Sequence, residues 1–147
     1  MSPKILHPTD FSECAKGAEA AAVDLGTKLG DELVLCHVLV ETPLYGEGFL
    51  TAPKIKDVYD AQRKWAEAKL EARCADLRQR GIKASWRVAT GPPFQMIVDM
   101  AAREHAALIV MGTRGRSGLD RILLGSVAER VIRLAPCPVL TVRQLER

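Results

Sequence analysis

Short apolar segments alternate with longer amphipathic segments along the whole chain of 147 residues. Two of the apolar segments, "ELVLCHVLV" and "ALIVM", contain no regular polar alternation, which is typical of parallel strands covered on both faces. A third, "KASWRVA", alternates with the period of two that indicates a half-buried strand. Together the apolar segments predict five strands, at residues 4–7, 32–40, 83–89, 107–111 and 138–142.

The segments between these strands have helical periodicity. Ser12 is predicted to cap the first helix and Gly30 to end it. In the longest helix the apolar residues recur at steps of three and four, and Gly81 follows its last turn. The predicted helices cover residues 12–29, 55–80 and 92–105, and a fourth runs from Gly125-Ser126 to about residue 134.

This order of strands and helices predicts one α/β domain over residues 1–147, with an open parallel sheet and helices on both faces. Ligands of such sheets bind outside the carboxyl ends of the strands, where the strand order reverses. The residues that stand out from the apolar strands lie at three of these ends, at positions 8–10, 38–41 and 112–118. We therefore expect one ligand site at this edge of the sheet.

Composition and charge exclude several classes of protein. With 48% hydrophobic and 27% charged residues, the chain is typical of a globular protein rather than a disordered or fibrous one. The formal net charge is +3 and basic residues are interleaved with acidic ones, so no nucleic-acid partner is predicted. There is no apolar run of about 18 residues and no signal peptide, which predicts a cytoplasmic protein without membrane contact. The four cysteines have no metal-binding spacing and are predicted to be reduced thiols.

The segment "MGTRGRSGLDRILLGSVAERV" after the fourth strand carries the strongest candidate chemistry. It contains neither the G-x-x-x-x-G-K-[ST] phosphate loop nor the G-x-G-x-x-G dinucleotide fingerprint. Gly112 and Gly115 could turn successive N–H groups inward as an anion nest, and Gly125 opens a helix whose N-terminus favours phosphate oxygens. Ser126 could add a hydroxyl donor and one of the two arginines a positive charge. The alternative is a tight turn in which the glycines serve only packing.

The pattern G-x-x-G-x₉-G-S in this segment resembles that of the universal stress protein family, in its ATP-binding branch. The agreement extends over essentially the whole chain, through "KILHPTDFS", "LVLCHV" and "ALIVMGTRGRSGLDRILLGSVAERVIRLAPCPVLTV". The resemblance implies a Rossmann-like fold with a five-stranded parallel sheet in the order 3-2-1-4-5. This order agrees with the elements predicted above.

The resemblance also implies a site for an adenine nucleotide. Asp10 would accept hydrogen bonds from ribose hydroxyls, the backbone of Val38 would contact the adenine edge, and the glycine loop would hold the phosphates. ATP and Mg²⁺ are the implied ligands, with the Mg²⁺ bound to the nucleotide and within reach of Asp10, and of Asp120 if its loop folds inward. The residues expected to bind the nucleotide are Pro8, Thr9, Asp10, Val38, Met111, Gly112, Thr113, Arg114, Gly115, Arg116, Ser117, Gly118, Gly125, Ser126 and Val127.

Binding is predicted in preference to catalysis. Phosphoryl transfer needs a metal anchor, a positioned nucleophile and charge stabilisation, and no obvious water-positioning residue stands beside the glycines. His37 and His105 fall in mid-strand and at a helix end, and we interpret them as structural. The resemblance implies an ATP-binding stress-response regulator or sensor whose nucleotide-bound state changes its affinity for an unidentified protein partner. The alternatives are a slow Mg²⁺-dependent ATPase and a dimer that no longer binds nucleotide.

The last strand and one histidine carry two further expectations. In the order 3-2-1-4-5 the last strand, from Pro138 to Val142, lies at a sheet edge, and an apolar edge invites pairing. Because the family commonly dimerises this way, we expect a homodimer through this strand; the alternative is an edge shielded by residues 143–147. His7 stands where the family commonly has an aliphatic residue, and we interpret it as a core histidine with satisfied hydrogen bonds.

Overall fold

Five parallel strands form one sheet in the computed structural model, which describes residues 2–40, 52–114 and 124–144. The strands are β1 (Lys4–Pro8), β2 (Glu32–Leu39), β3 (Ala84–Thr90), β4 (Ala106–Gly112) and β5 (Val139–Val142). Their order in the sheet is β3-β2-β1-β4-β5, and each neighbouring pair is parallel. The predicted fold class and strand order are confirmed.

The helices of the described residues are α1 (Glu13–Leu29), α2 (Ala52–Gln79), α3 (Pro93–Arg103) and α4 (Ser126–Leu134). Both predicted ends of the first helix are confirmed. The Ser12 side chain accepts a hydrogen bond from the N–H of Ala15 at 3.2 Å, and Gly30 has a left-handed φ of 73°. α3 ends two residues before its predicted end, because His105 has a φ of 51°, outside the right-handed helical region.

The core consists of two layers, one on each face of the sheet. α1 and α2 cover one face, where Ile5 and Leu70 are fully buried. α3 and α4 cover the other face, where Leu6 and Val131 are fully buried. Because adjacent residues of a strand point to opposite faces, a strand between two helical layers is apolar without alternation. Within the described ranges, no helix combines the length and the hydropathy that crossing a bilayer requires.

A crevice opens where the strand order reverses beside β1. Pairing of β1 with β2 continues to Pro8 and Cys36, whereas its pairing with β4 ends at Leu6 and Ile109. The last two residues of β1 therefore pair with β2 but not with β4, which leaves a gap between the carboxyl ends of β1 and β4. This is the position at which open parallel sheets bind their ligands.

Candidate functional site

A cavity of about 330 Å³, which we call the strand-end cavity, lies at the carboxyl ends of β1, β2 and β4. The first turns of α3 and α4 also contribute to its wall, and its volume falls within the range of small-molecule sites. Its lining residues are Pro8, Thr9, Asp10, Ala15, Cys36, His37, Val38, Val40, Pro93, Ile97, Met111, Gly112, Thr113, Arg114, Gly125, Ser126, Val127 and Ala128.

The structure brings the predicted site residues together. Every predicted nucleotide-binding residue within the described ranges lines the strand-end cavity, from Pro8 of β1 to Val127 of α4. The other members of the predicted set, and Asp120, lie outside the described residues; those members are Gly115, Arg116, Ser117 and Gly118. That the lining residues bind a nucleotide stays a prediction.

The turn between β1 and α1 is held by short local hydrogen bonds. The N–H of Thr9 donates to the carbonyl of Cys36 at 2.8 Å, which joins the turn to β2. The N–H of Phe11 donates to Thr9 Oγ1 at 3.0 Å, and the N–H of Ser12 donates to Asp10 Oδ1 at 2.9 Å. Threonine and aspartate side chains commonly bond backbone groups two residues further on in this way. The turn thereby presents Thr9 and Asp10 at the cavity wall.

Two glycines at the cavity are required by close approach rather than by backbone conformation. Neither Gly112 nor Gly125 has a positive φ. A Cβ at Gly125 would stand 2.9 Å from the carbonyl oxygen of Thr113, and a Cβ at Gly112 would stand 2.9 Å from the Sγ of Cys14. A glycine at position 112 is therefore explained by packing alone, which is the alternative to the anion nest. Gly115, the other glycine of the predicted nest, lies outside the described residues.

The N-terminus of α4 meets the cavity without a side-chain cap. Gly125 is the N-cap residue, and its own N–H donates to the carbonyl of Thr113 at 2.6 Å. The first N–H groups of a helix have no partner within the helix, and the helix dipole places partial positive charge there. Ser126 and Val127 line the cavity in this first turn, and Arg114 adds a cation to the wall. This arrangement is suited to an anion of the phosphate type.

The thiols of Cys36, in the cavity wall, and Cys74, in the core, are protonated at neutral pH. Burial raises the pKa of the Cys36 thiol far above its usual range and that of Cys74 to about 11. Because the thiolate is the nucleophile and metal ligand, neither side chain is activated. Among the described residues, no three His, Cys, Asp or Glu groups come together in a way that could hold a metal ion.

His7 is fully buried, but only one of its ring nitrogens is satisfied. Nδ1 lies 2.8 Å from the carbonyl oxygen of Val110, so we assign the proton to this nitrogen, which donates. Nε2 is buried with no hydrogen-bond partner among the described residues. Burial lowers the pKa of His7, against smaller opposing effects of the Val110 carbonyl, Glu19 and Asp10. The predicted core location is confirmed, and the predicted complete satisfaction of the ring is wrong.

Some lining residues escape prediction from the sequence. His37, interpreted as structural, lines the cavity, and its Nδ1 lies 2.8 Å from the carbonyl oxygen of Thr9. Pro93 and Ile97 reach the cavity from α3, and no local pattern indicates which helix packs over a strand end. Val40 also lines the cavity; it falls within the strand end at positions 38–41 where the site is predicted, although it is not among the residues predicted to bind the nucleotide.

A second cavity of about 870 Å³, which we call the helix groove, lies between α1 and α2. The sides of these helices and the β1–α1 turn form its walls, with Lys16, Asp24 and Arg80 among the lining side chains. It shares Thr9 with the strand-end cavity. The helix groove is larger, but strand ends and the N-terminus of α4 meet only at the strand-end cavity, which is therefore the candidate site.

Comparison with known proteins agrees with this architecture. The Universal stress protein family matches the chain over residues 1–143. Universal stress protein MJ0531 of Methanocaldococcus jannaschii is 37% identical over 146 residues, which cover 96% of this chain and 82% of that protein. The solved structure of MJ0577, from the same organism, superposes with a TM-score of 0.86 at 33% identity and covers 100% of this chain and 99% of that one.

A more distant solved structure shares the fold. The universal stress protein from Archaeoglobus fulgidus in complex with dAMP superposes with a TM-score of 0.64 at 23% identity, over 97% of this chain and 98% of that one. The family match and the curated relatives extend over nearly the whole chain. This chain belongs to the universal stress protein family.

Proposed function

We propose that the strand-end cavity binds an adenine nucleotide, ATP with Mg²⁺, and that the protein is a stress-response regulator. The observation that carries the proposal is the contact of Gly125 with Thr113, which brings the uncapped N-terminus of α4 to the wall of a cavity of small-molecule size. Helix N–H groups, the Ser126 hydroxyl and the Arg114 cation together suit phosphate oxygens. The dAMP complex of the Archaeoglobus fulgidus protein supports an adenine nucleotide as the ligand.

The proposed roles follow the positions of the residues around the cavity. Pro8, Thr9 and Asp10 contact the nucleoside, with Asp10 accepting from ribose hydroxyls, and Val38 offers its backbone to the adenine edge. The N-terminus of α4 and the glycine loop before it hold the phosphates. Mg²⁺ bound to the nucleotide would neutralise phosphate charge, and Asp10 is the side chain proposed to contact it.

The regulatory part of the proposal concerns a protein partner. Nucleotide occupancy would change the affinity for that partner, because a ligand that binds two conformations unequally shifts their populations. The partner and the cytoplasmic location stay predictions from the family resemblance and the composition. The net charge of +3 offers no argument for a nucleic acid as the partner.

Calorimetric titration of nucleotide-stripped protein with ATP-Mg²⁺ tests the site. We expect one site per chain with a micromolar Kd, and no accumulation of ADP over hours in the same sample. Steady ADP release that the Asp10→Ala variant abolishes would favour the slow ATPase over the regulator. Absence of binding would contradict the proposal and leave the glycines with a role in packing alone.

Two substitutions at Asp10 separate its charge from its part in the turn. Asp10→Ala is expected to raise the Kd for ATP-Mg²⁺ about tenfold, because it removes the proposed ribose acceptor and the Oδ1 that accepts from Ser12. Asp10→Asn keeps an oxygen for the N–H of Ser12 and removes only the negative charge. If all three proteins have the same Kd by calorimetry, Asp10 does not contact the nucleotide.

We also propose that the protein forms a homodimer through β5. This strand lies at the edge of the sheet, and its Leu140 is 39% exposed. Ile132 and Leu134 of α4, the helix that precedes β5, are 45% and 54% exposed. Apolar side chains at an unpaired strand edge favour pairing with another chain, here a second copy.

Leu140→Lys is expected to convert the dimer to a monomer, because a charge on an edge strand opposes pairing with another strand. Light scattering during size exclusion gives the mass in solution. Leu29→Lys is the matched control, since Leu29 is 61% exposed at the end of α1 and is not part of the proposed interface. A wild-type protein that is monomeric, or a Leu140→Lys variant that stays dimeric, would rule out this interface.

A further inference from the structure

Phe11 has an unusual backbone conformation in the turn between β1 and α1. Its φ of 64° lies in the left-handed region, where a bulky side chain is rarely found. Such conformations persist where the surroundings hold them, and they cluster at functional sites. Thr9 and Asp10, immediately before Phe11, line the strand-end cavity, whereas Phe11 lines the helix groove. The candidate site and a second surface therefore meet at Phe11.

Three side chains hold the ring of Phe11. Its centroid lies 4.8 Å from that of the His37 ring, and 5.3 Å from that of Trp65, which it meets edge to face at 82°. The Nζ of Lys69 lies 5.3 Å from the Phe11 centroid and 4.8 Å from the Trp65 centroid. Edge-to-face pairs and ammonium groups over rings are both attractive arrangements. We call these four residues the aromatic cluster.

The aromatic cluster joins the cavity wall to α2. His37 belongs to β2 and contacts both the Phe11 ring and, through Nδ1, the carbonyl oxygen of Thr9 at 2.8 Å. Trp65 and Lys69 are one turn apart on α2, which covers the same face of the sheet as α1, and both contact the same ring. A displacement of this part of α2 would therefore move Phe11, and with it the adjoining Thr9 and Asp10.

We propose that Phe11 is a positioning residue of the nucleotide site, through which α2 at Trp65 and Lys69 sets the affinity of that site. This inference rests on the proposed nucleotide binding and adds a route for its regulation. A binding side chain is held accurately in place only when the residues packed behind it fix its position. The aromatic cluster provides this packing for the turn that carries Thr9 and Asp10. Trp65 is 47% exposed, so a partner protein on α2 can act on the site without touching the nucleotide.

Tryptophan fluorescence tests the coupling in the full chain. The chain has two tryptophans, so Trp86→Phe leaves Trp65 as the single reporter. Because coupling between two sites is reciprocal, ATP-Mg²⁺ is expected to change Trp65 emission saturably, with a midpoint equal to the calorimetric Kd. Calorimetric binding with unchanged Trp65 emission would overturn the coupling and leave the proposed function standing. No calorimetric binding by the wild type would overturn the proposed function, and the inference with it.

Substitutions at Phe11 separate positioning from stability. Phe11→Leu removes the ring and is expected to raise the Kd for ATP-Mg²⁺ about tenfold, whereas Phe11→Tyr keeps the ring and binds within about threefold of the wild type. Trp86→Leu is the matched control, because Trp86 packs against the same core layer but lies outside the aromatic cluster. Its Nε1 donates a hydrogen bond to Glu71. Trp86→Leu is expected to lower the Tm while its Kd stays within about threefold of the wild type.

A second position keeps the test decisive if Phe11→Leu does not fold. Trp65→Leu removes the ring at a half-exposed position on α2 and is expected to raise the Kd in the same direction. A folded Phe11→Leu or Trp65→Leu protein with the wild-type Kd would overturn the inference. So would an equal rise of the Kd in Trp86→Leu, since the effect would then follow general destabilisation.

Discussion

Gly125→Val is expected to raise the Kd for ATP-Mg²⁺ by at least about a hundredfold while the sheet still folds, because several N–H groups proposed to bind the phosphates would be displaced together. A Cβ at this position would stand 2.9 Å from the Thr113 carbonyl oxygen and 3.5 Å from the Cα of Arg114. Both neighbours are backbone atoms that cannot rotate away, so the N-terminus of α4 must move. Overpacking of this kind costs about 1–3 kcal/mol, which a domain of this size can tolerate. Calorimetry measures the Kd, and thermal unfolding shows that the fold is retained.

Gly17→Val is the matched control for this result. A Cβ at Gly17 meets no atom within 4 Å, and valine is a better helix former than glycine on α1. This variant is expected to bind ATP-Mg²⁺ like the wild type, with equal or slightly higher stability. A folded Gly125→Val protein that keeps the wild-type Kd would show that the N-terminus of α4 does not hold the phosphates.

The fold is predictable where the determinants are local. The uninterrupted apolar runs of β2 and β4 indicate strands covered on both faces, and Ser12 and Gly30 mark the ends of α1 because caps act within one turn. The order of the strands is a matter of long-range pairing, and it follows from the family resemblance rather than from any local pattern. β4 extends beyond its predicted end to Gly112 because its pairing with β5 continues to that residue.

The site is predictable where the backbone demands one residue type. Gly125 opens a helix against a neighbouring carbonyl, and only a residue without a side chain fits there. Ile97 carries no such signal, because its place in the cavity wall depends on how α3 packs on the sheet. Phe11 is the least predictable, since glycine or asparagine is the usual residue at a left-handed φ. Its ring is held by His37 of β2 and by the side chains of α2, which are contacts between distant parts of the chain that no local pattern indicates.

His7→Leu is expected to make the stability of the protein less sensitive to pH between 7 and 5. Burial lowers the pKa of His7 in the folded protein, whereas the pKa in the unfolded chain is about 6.5. Below pH 6.5 the unfolded chain therefore takes up a proton that the folded protein excludes. The wild type loses about 1.4 kcal/mol of unfolding free energy per pH unit for as long as the folded imidazole stays neutral. This contribution is fully present above pH 6.5 and is lost as the pH falls.

Urea unfolding at pH 7 and pH 5 measures the effect as a difference between the two proteins. Between pH 7 and pH 5 the wild type should lose about 2 kcal/mol more unfolding free energy than the His7→Leu variant. Ile5→Val is the control on the same strand, because it removes one buried methylene and costs about 1 kcal/mol at both pH values. Glu19 of α1 and Asp10 of the turn both raise the pKa of His7. If the difference does not change with pH, these carboxylates offset the burial, and the folded protein accepts the proton as readily as the unfolded chain.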